Sequence, residues 1–244
     1  MYRFAVVMCM AALIAVPGLS APQQQPAPGS FAVEHVTVIN VAAGSRAIDQ
    51  TVIVAGNRIA SVGSAANAKI PAGARVLDGR GKFLIPGIWD MHVHLLYALP
   101  ARTFPFFAAR GITGVRDMGG GLDKLSEARQ LIDGGIIAPR FVSAGPMLVG
   151  APIRADFTPG SGMLVTSPEE GRQAVNRLLA QRVDFIKMQT MVPRDIAIAM
   201  ADESKRWHVP YVGHLPLDMD IVEASDLGFH SVEHLYSLTA SCVA

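Results

Sequence analysis

Cysteine is almost missing from this chain: two occur in 244 residues, Cys9 and Cys242. Cys9 lies in the N-terminal apolar stretch, so once that stretch is removed no intramolecular disulfide can form. A disulfide-stapled scaffold is excluded. Charge is scarce as well, at 17%, and balances to a net +1. That leaves no electrostatic footprint for a nucleic acid or an anionic membrane. Aromatics make up only 7%, and no basic run interleaves with them. Beyond the first residues no apolar run approaches the ~20 positions a membrane-spanning helix needs.

Half of the residues are hydrophobic, enough for one sizeable core or a large domain with a small appendage. The opening "MYRFAVVMCMAALIAVPGLS" reads as an export signal over residues 1–20. Arg3 gives the positive start, residues 4–16 a short apolar core, and Gly18 and Ser20 a cleavage region. The other reading is an uncleaved anchor, against which the length of the apolar core speaks. Residues 21–30, rich in Gln and Pro, form a flexible linker. The expectation is a secreted or periplasmic protein with no stable membrane anchor after signal cleavage.

Residues 31–82 carry β-branched alternation broken by Gly and Asn, in "AVEHVTVIN", "QTVIVAGNRIASVG" and "ARVLDGRGKFLIPG". A small β-rich unit is expected there. From residue 83 the pattern becomes strand, loop, helix, repeated to residue 244. The strands are "FLIPGIWDMHV", "ITGVRDMG", "RFVSAGPML", "VDFIKMQ", "YVGHL" and "SVEHL". Helical stretches lie between them, one announced by Ser167-Pro168-Glu169-Glu170, an N-cap followed by proline and first-turn acids. Such alternation implies an α/β fold with a parallel sheet, open or closed into a barrel.

The polar residues near the C-terminal ends of those strands are His92 and His94, Arg116 and Asp117, Lys187, His214 and His234. In a parallel barrel these ends face one mouth, where such folds place their chemistry. His92 and His94 are two apart on a strand and project to one face. His35, His208 and His230 fall elsewhere and read as structural. Lys187 lies on an apolar strand with Val183 and Phe185 on its face. One reading has its ammonium reaching solvent or an acid. The other has a neutral amine capturing carbon dioxide as a carbamate, whose two oxygens can bridge two cations. Spacing leaves both open.

"PGIWDMHVHL", the lysine of "FIKMQ", "YVGHL" and "SVEHL", in that order, resemble the amidohydrolase superfamily, closest to its imidazolonepropionase-like and Xaa-Pro dipeptidase-like (prolidase) branch. The resemblance runs from about residue 31 onwards. It implies a (β/α)8 TIM-barrel fold with a small β-sandwich part, here the N-terminal half of one. It further implies His92 and His94 as ligands of one metal, His214 and His234 of a second, and Lys187 as the carboxylated bridge. The cofactors implied are two divalent ions, usually zinc with manganese or cobalt able to serve, and carbon dioxide for the lysine. The activity implied is hydrolysis of carbon–nitrogen bonds in small substrates such as dipeptides or cyclic amides.

The resemblance also calls for an aspartate ending an eighth strand, and "LYSLTASCVA" after His234 supplies none. Six strands are counted, so an incomplete, C-terminally truncated barrel (residues 83–244) is expected, with low activity of its own. Of the possible substitutes, Asp90 shares the histidines' strand face but lies at the deeper end. Asp117, ending the second strand, is better placed, yet the resemblance does not make that position the proton shuttle. Exposed strand edges point to a homo-oligomer or to aggregation. A different class of reading is a non-catalytic metal-binding or scaffold protein derived from the same fold. "RDMGGG" at 116–121 is a weak phosphate-loop candidate, more in keeping with a turn. For the small-molecule substrate, Tyr97, Arg154 and Tyr236 are pocket candidates, with ordinary surface residues the plainer alternative.

Overall fold

The computed structural model describes residues 29–152 and 160–235. The expected export signal, nearly all of the expected linker, Arg154, Tyr236 and Cys242 lie outside these residues. The chain forms two compact units, one ending at Pro86 and one beginning at Gly87. Among the described residues no helix is long and apolar enough to cross a membrane.

The first unit is one mixed sheet of β1 (Phe31–Asn40), β2 (Ser45–Ala55), β3 (Arg58–Ser64), β4 (Arg75–Asp78) and β5 (Phe83–Leu84). β1 pairs antiparallel with β2 and parallel with both β4 and β5. The β2–β3 hairpin turns at Gly56 and Asn57, with Gly56 at φ 60°, as a two-residue turn requires. The expected sandwich is therefore, among the described residues, a single sheet. The stretch "FLIPGIWDMHV" is also not one strand. Phe83–Leu84 completes this sheet, and a new strand starts only after Pro86-Gly87.

The second unit alternates β6 (Ile88–Val93), α1 (Pro100–Ala109), β7 (Ile112–Asp117), α2 (Leu122–Asp133), β8 (Arg140–Ser143), β9 (Met147–Val149) and β10 (Gly162–Leu164). It continues with α3 (Pro168–Ala180), β11 (Ile186–Met188), α4 (Arg194–Arg206), β12 (Tyr211–Gly213), α5 (Ile221–Asp226) and β13 (Phe229–Val232). The fold is mixed α/β with parallel sheets: β6-β7-β8 in one and β10-β9-β11-β12-β13 in the other. "RFVSAGPML" turns out to be two short strands separated at Gly145-Pro146, β8 pairing with β7 and β9 with β11. Asp184 bridges the two sheets. Its amide donates to the Ser143 carbonyl at 2.9 Å, and its carboxylate accepts from the Ser143 amide at 2.8 Å. Strand β10 was not legible as a strand in the sequence. A closed (β/α)8 ring is not formed by the strand pairings of the described residues.

Helices cover this array for the usual reason: parallel strands are apolar on both sides. Val115, Leu148, Ile186 and Tyr211 from the strands are buried with Phe104, Leu125, Leu178 and Met200 from the helices. A second cluster, Met118, Ala144, Phe185 and Val212, comes from β12 and from residues flanking β7, β8 and β11. Ser167 caps α3 by accepting from the Glu170 amide, and Asp220 caps α5 from the Glu223 amide. Both fix where a helix begins and therefore where the strand before it must end.

Candidate metal centre

The five ligand candidates come together at the strand ends. His92 lies on β6 and His94 just beyond it, Lys187 is in β11, His214 follows β12 and His234 follows β13. The His92 ring centroid stands 5.4 Å from that of His94 and 4.4 Å from that of His234, and His214 stands 5.2 Å from His234. β6 and β13 begin and end the set of strands, yet their terminal residues meet. The backbone turns to achieve this at the far end, where His234 (φ 60°) and Leu235 (φ 59°) both adopt the left-handed conformation. That conformation is uncommon for a leucine and costs about 1 kcal/mol or more.

The surroundings favour the neutral form of three of these rings. Burial pushes His94, His214 and His234 below the ordinary imidazole range, His214 as far as about 3, and neighbouring cationic groups including Lys187 push the same way. Three of the rings are also engaged through Nδ1. His92 meets Glu233 Oε2 at 2.7 Å, His94 the Gly119 carbonyl at 3.4 Å, and His214 the Thr190 hydroxyl at 3.1 Å. Neutral imidazole with Nδ1 occupied presents Nε2, the form in which histidine ligates a metal. Among the described residues no three histidine, cysteine, aspartate or glutamate side chains already stand in a metal-holding arrangement. The fit of a cation to this site therefore rests on the chemistry of its donors, and that chemistry suits borderline cations such as zinc.

Lys187 is 1% exposed. Burial lowers its amine to about 8, the Glu233 carboxylate pulling upward and the Arg116 guanidinium downward. A solvent-reaching lysine is thus not what the structure contains. Phe185, two residues earlier and buried, carries the Arg116 guanidinium at 5.8 Å from its ring centroid.

Asp117 is fully buried, and its oxygens are taken. It accepts from the Leu96 amide at 3.1 Å, the Gly119 amide at 3.2 Å and the Ser143 hydroxyl at 3.4 Å. Burial nevertheless raises its carboxyl to about 6, outweighing those donors. It braces the turns after β6 and β7. Asp90 accepts from the His92 amide at 3.1 Å. Glycines 119–121 of "RDMGGG" serve packing: a side chain at Gly120 would overlap Leu96. Tyr97 stacks on His94 with centroids 4.9 Å apart, and is the pocket candidate that the described residues do bring to the site. His35 pairs with Asp49, and His230 accepts from the Tyr211 amide, as structural histidines would.

Glu233 was missed by the sequence reading. It is 6% exposed and meets His92, Arg116 and Ser231. Burial pushes its carboxyl up, but hydrogen bonds from His92 and Ser231, with the charges of Arg116 and Lys187, win and hold it at about 2. The signal was present in "SVEHL", since Ser231 and Glu233 share a strand face.

No protein-family model matches the chain. An adenine deaminase of Mesorhizobium japonicum is 31% identical over 68 residues, 28% of this chain and 11% of that protein. Among solved structures, a candidate prolidase from Bifidobacterium longum superposes with a TM-score of 0.73 at 26% identity, covering 85% of this chain and 54% of that one. A prolidase complexed with N-methylphosphonate-L-proline gives a TM-score of 0.68 at 22% identity, and an amidohydrolase 0.68 at 21%. Each match covers 83% of this chain and 60% of the other. The chain thus spans less than two thirds of the length of these solved relatives. The solved structures it superposes on include prolidases and an amidohydrolase, and the chain shares their fold.

Proposed function

We propose that this chain carries the metal centre of a hydrolase that cleaves carbon–nitrogen bonds in small substrates, dipeptides or cyclic amides. The observation that carries the reading is the convergence of four imidazoles, from the ends of β6, β12 and β13, near the buried lysine of β11. The names of the similar proteins (prolidase, amidohydrolase, adenine deaminase) all denote hydrolysis at carbon–nitrogen bonds. Xaa-Pro dipeptides are the first substrates to try, because the prolidase fold match is the highest in TM-score of those above.

His92, His94, His214 and His234 would hold two divalent ions, with Lys187 carboxylated between them. Such ions supply Lewis acidity and a water acidified enough to attack a carbonyl near neutral pH. The protein's own share is to keep His94, His214 and His234 neutral and to orient the rings. Burial also brings the Lys187 amine to about 8, where a useful fraction is uncharged and able to add carbon dioxide. Tyr97, on the outer side of His94, is placed to border the substrate. The export signal at residues 1–20 would direct this activity to the periplasm or beyond.

Metal analysis after incubation with zinc or manganese and bicarbonate tests the reading, alongside hydrolysis of Xaa-Pro dipeptides. Two ions per chain in the parent, falling to one or none in His92→Ala and His214→Ala, are expected. A parent chain that retains no divalent ion after desalting sinks it.

A further inference from the structure

We propose that Glu233 is a positioning residue: it fixes the His92 imidazole with its proton on Nδ1 and Nε2 turned to the metal, and Arg116 with Ser231 hold Glu233 to that task. The inference rests on the reading of His92 as a metal ligand, and it concerns the chain's own hydrogen bonds. Glu233 Oε2 lies 2.7 Å from His92 Nδ1. An ionised carboxylate only accepts, so the shared proton belongs to the imidazole. The other oxygen, Oε1, accepts from Arg116 Nη2 at 2.7 Å and from the Ser231 hydroxyl at 2.7 Å. Arg116 in turn donates through Nε to the Met91 carbonyl at 2.7 Å and through Nη1 to Ser231 Oγ at 3.0 Å. Glu233, Arg116 and Ser231 are thereby each fixed by at least two partners, and together they hold the carboxylate that meets His92, the condition under which a buried polar network specifies one geometry.

The chain order adds a consequence. Glu233 precedes His234, so one dipeptide supplies a ligand candidate for one ion and the holder of a ligand candidate for the other. Arg116, on β7, closes the loop by gripping the β6 carbonyl beside His92. An ion pair built only for stability would be satisfied by Arg116 and Ser231. Here the remaining carboxylate oxygen is spent on an imidazole nitrogen, the arrangement by which outer carboxylates set the tautomer and basicity of metal-binding histidines.

The test uses chain labelled with ¹⁵N-histidine. Two-bond ¹H–¹⁵N spectra in chelating buffer report the tautomer of each ring, and zinc affinity is measured by competition with a chromophoric chelator. The parent's His92 should be the Nδ1–H form. Glu233→Ala should move it towards Nε2–H and weaken zinc binding by about 10–100-fold. Glu233→Gln, which keeps an acceptor oxygen, should retain the tautomer and lose less. Should Glu233→Ala fail to fold, Ser231→Ala leaves the Arg116–Glu233 pair in place and should show a smaller shift in the same direction. Nε2–H in the parent, or an unchanged tautomer in folded Glu233→Ala, overturns the proposal. The two arms separate the claims. A chain that takes no zinc, yet changes its His92 tautomer on losing Glu233, sinks the metal reading and keeps the positioning role. A chain that binds zinc with His92 unmoved does the reverse.

Discussion

Burial holds the Lys187 amine at about 8 against an ordinary 10.5, with Glu233 opposing the shift and Arg116 adding to it. A lowered value means that the unfolded chain binds this proton more tightly than the folded one. Between about pH 8 and 10.5 the unfolded state carries the extra proton, so stability rises with pH through that window. Below pH 8 the whole deficit is present, on the order of 3 kcal/mol. A lysine kept at such a disadvantage is best understood by what its neutral form can do, and carbon dioxide reacts only with that form. Lys187→Met keeps the apolar stem and removes the amine. In chelating buffer at pH 7 it should therefore raise the unfolding free energy in urea by roughly 1–3 kcal/mol and flatten the rise between pH 8 and 10. A destabilised Lys187→Met would mean that attraction to Glu233 outweighs the burial of the ammonium.

At the scale of elements, the strands are short and the ligands sit at their ends, so the spacing between strands decides whether the site exists. Gly213 is the clearest control point. It has φ 140°, and a Cβ there would lie 2.2 Å from the Met188 carbonyl oxygen on the neighbouring strand, next to Lys187 and just before His214. A backbone atom cannot swing aside as a side-chain tip can. Gly213→Ala should cost at least about 1–3 kcal/mol, read as a lower urea midpoint, and should weaken zinc binding even in the fraction that folds. Unchanged stability would show that β11 and β12 can part without loss. The same scale shows what sequence reasoning could reach. Strand, helix and histidine order were legible because parallel strands are apolar runs and helices carry caps, as Ser167 does. The split of "RFVSAGPML" was not, since Gly145-Pro146 reads equally well as a turn or as an irregularity within one strand. The assignment of Phe83–Leu84 to the first sheet was hidden too, because pairing with β1 is a long-range choice that local pattern does not encode. The turn that brings His234 inward was beyond reach for a related reason. It is made by two left-handed residues of which neither is glycine or asparagine, so the usual marker of that conformation is absent.

For the molecule as a whole, the candidate ligands belong to four strands, β6, β11, β12 and β13, spread from residue 92 to residue 234. All lie in the unit that begins at Gly87. Cations bound there would tie together strands that start and finish the parallel array, and would do so only in the folded state. Binding of that kind stabilises by mass action, about 2.7 kcal/mol at a free ligand concentration 100 times Kd. For a chain of this size that is a rise in Tm of roughly 5–10 °C. The rise should be absent in a His92→Ala/His214→Ala double variant, which removes one ligand candidate from each implied ion, and chelation should reverse it in the parent. Scanning calorimetry with stepwise zinc or manganese reads both. Because unfolding must release the ions, Tm should climb with the logarithm of free metal and not level off at stoichiometric metal. A Tm indifferent to zinc, manganese and chelator alike would mean that the four imidazoles are packed together without a cation in common, and the hydrolytic reading would lose its foundation with them.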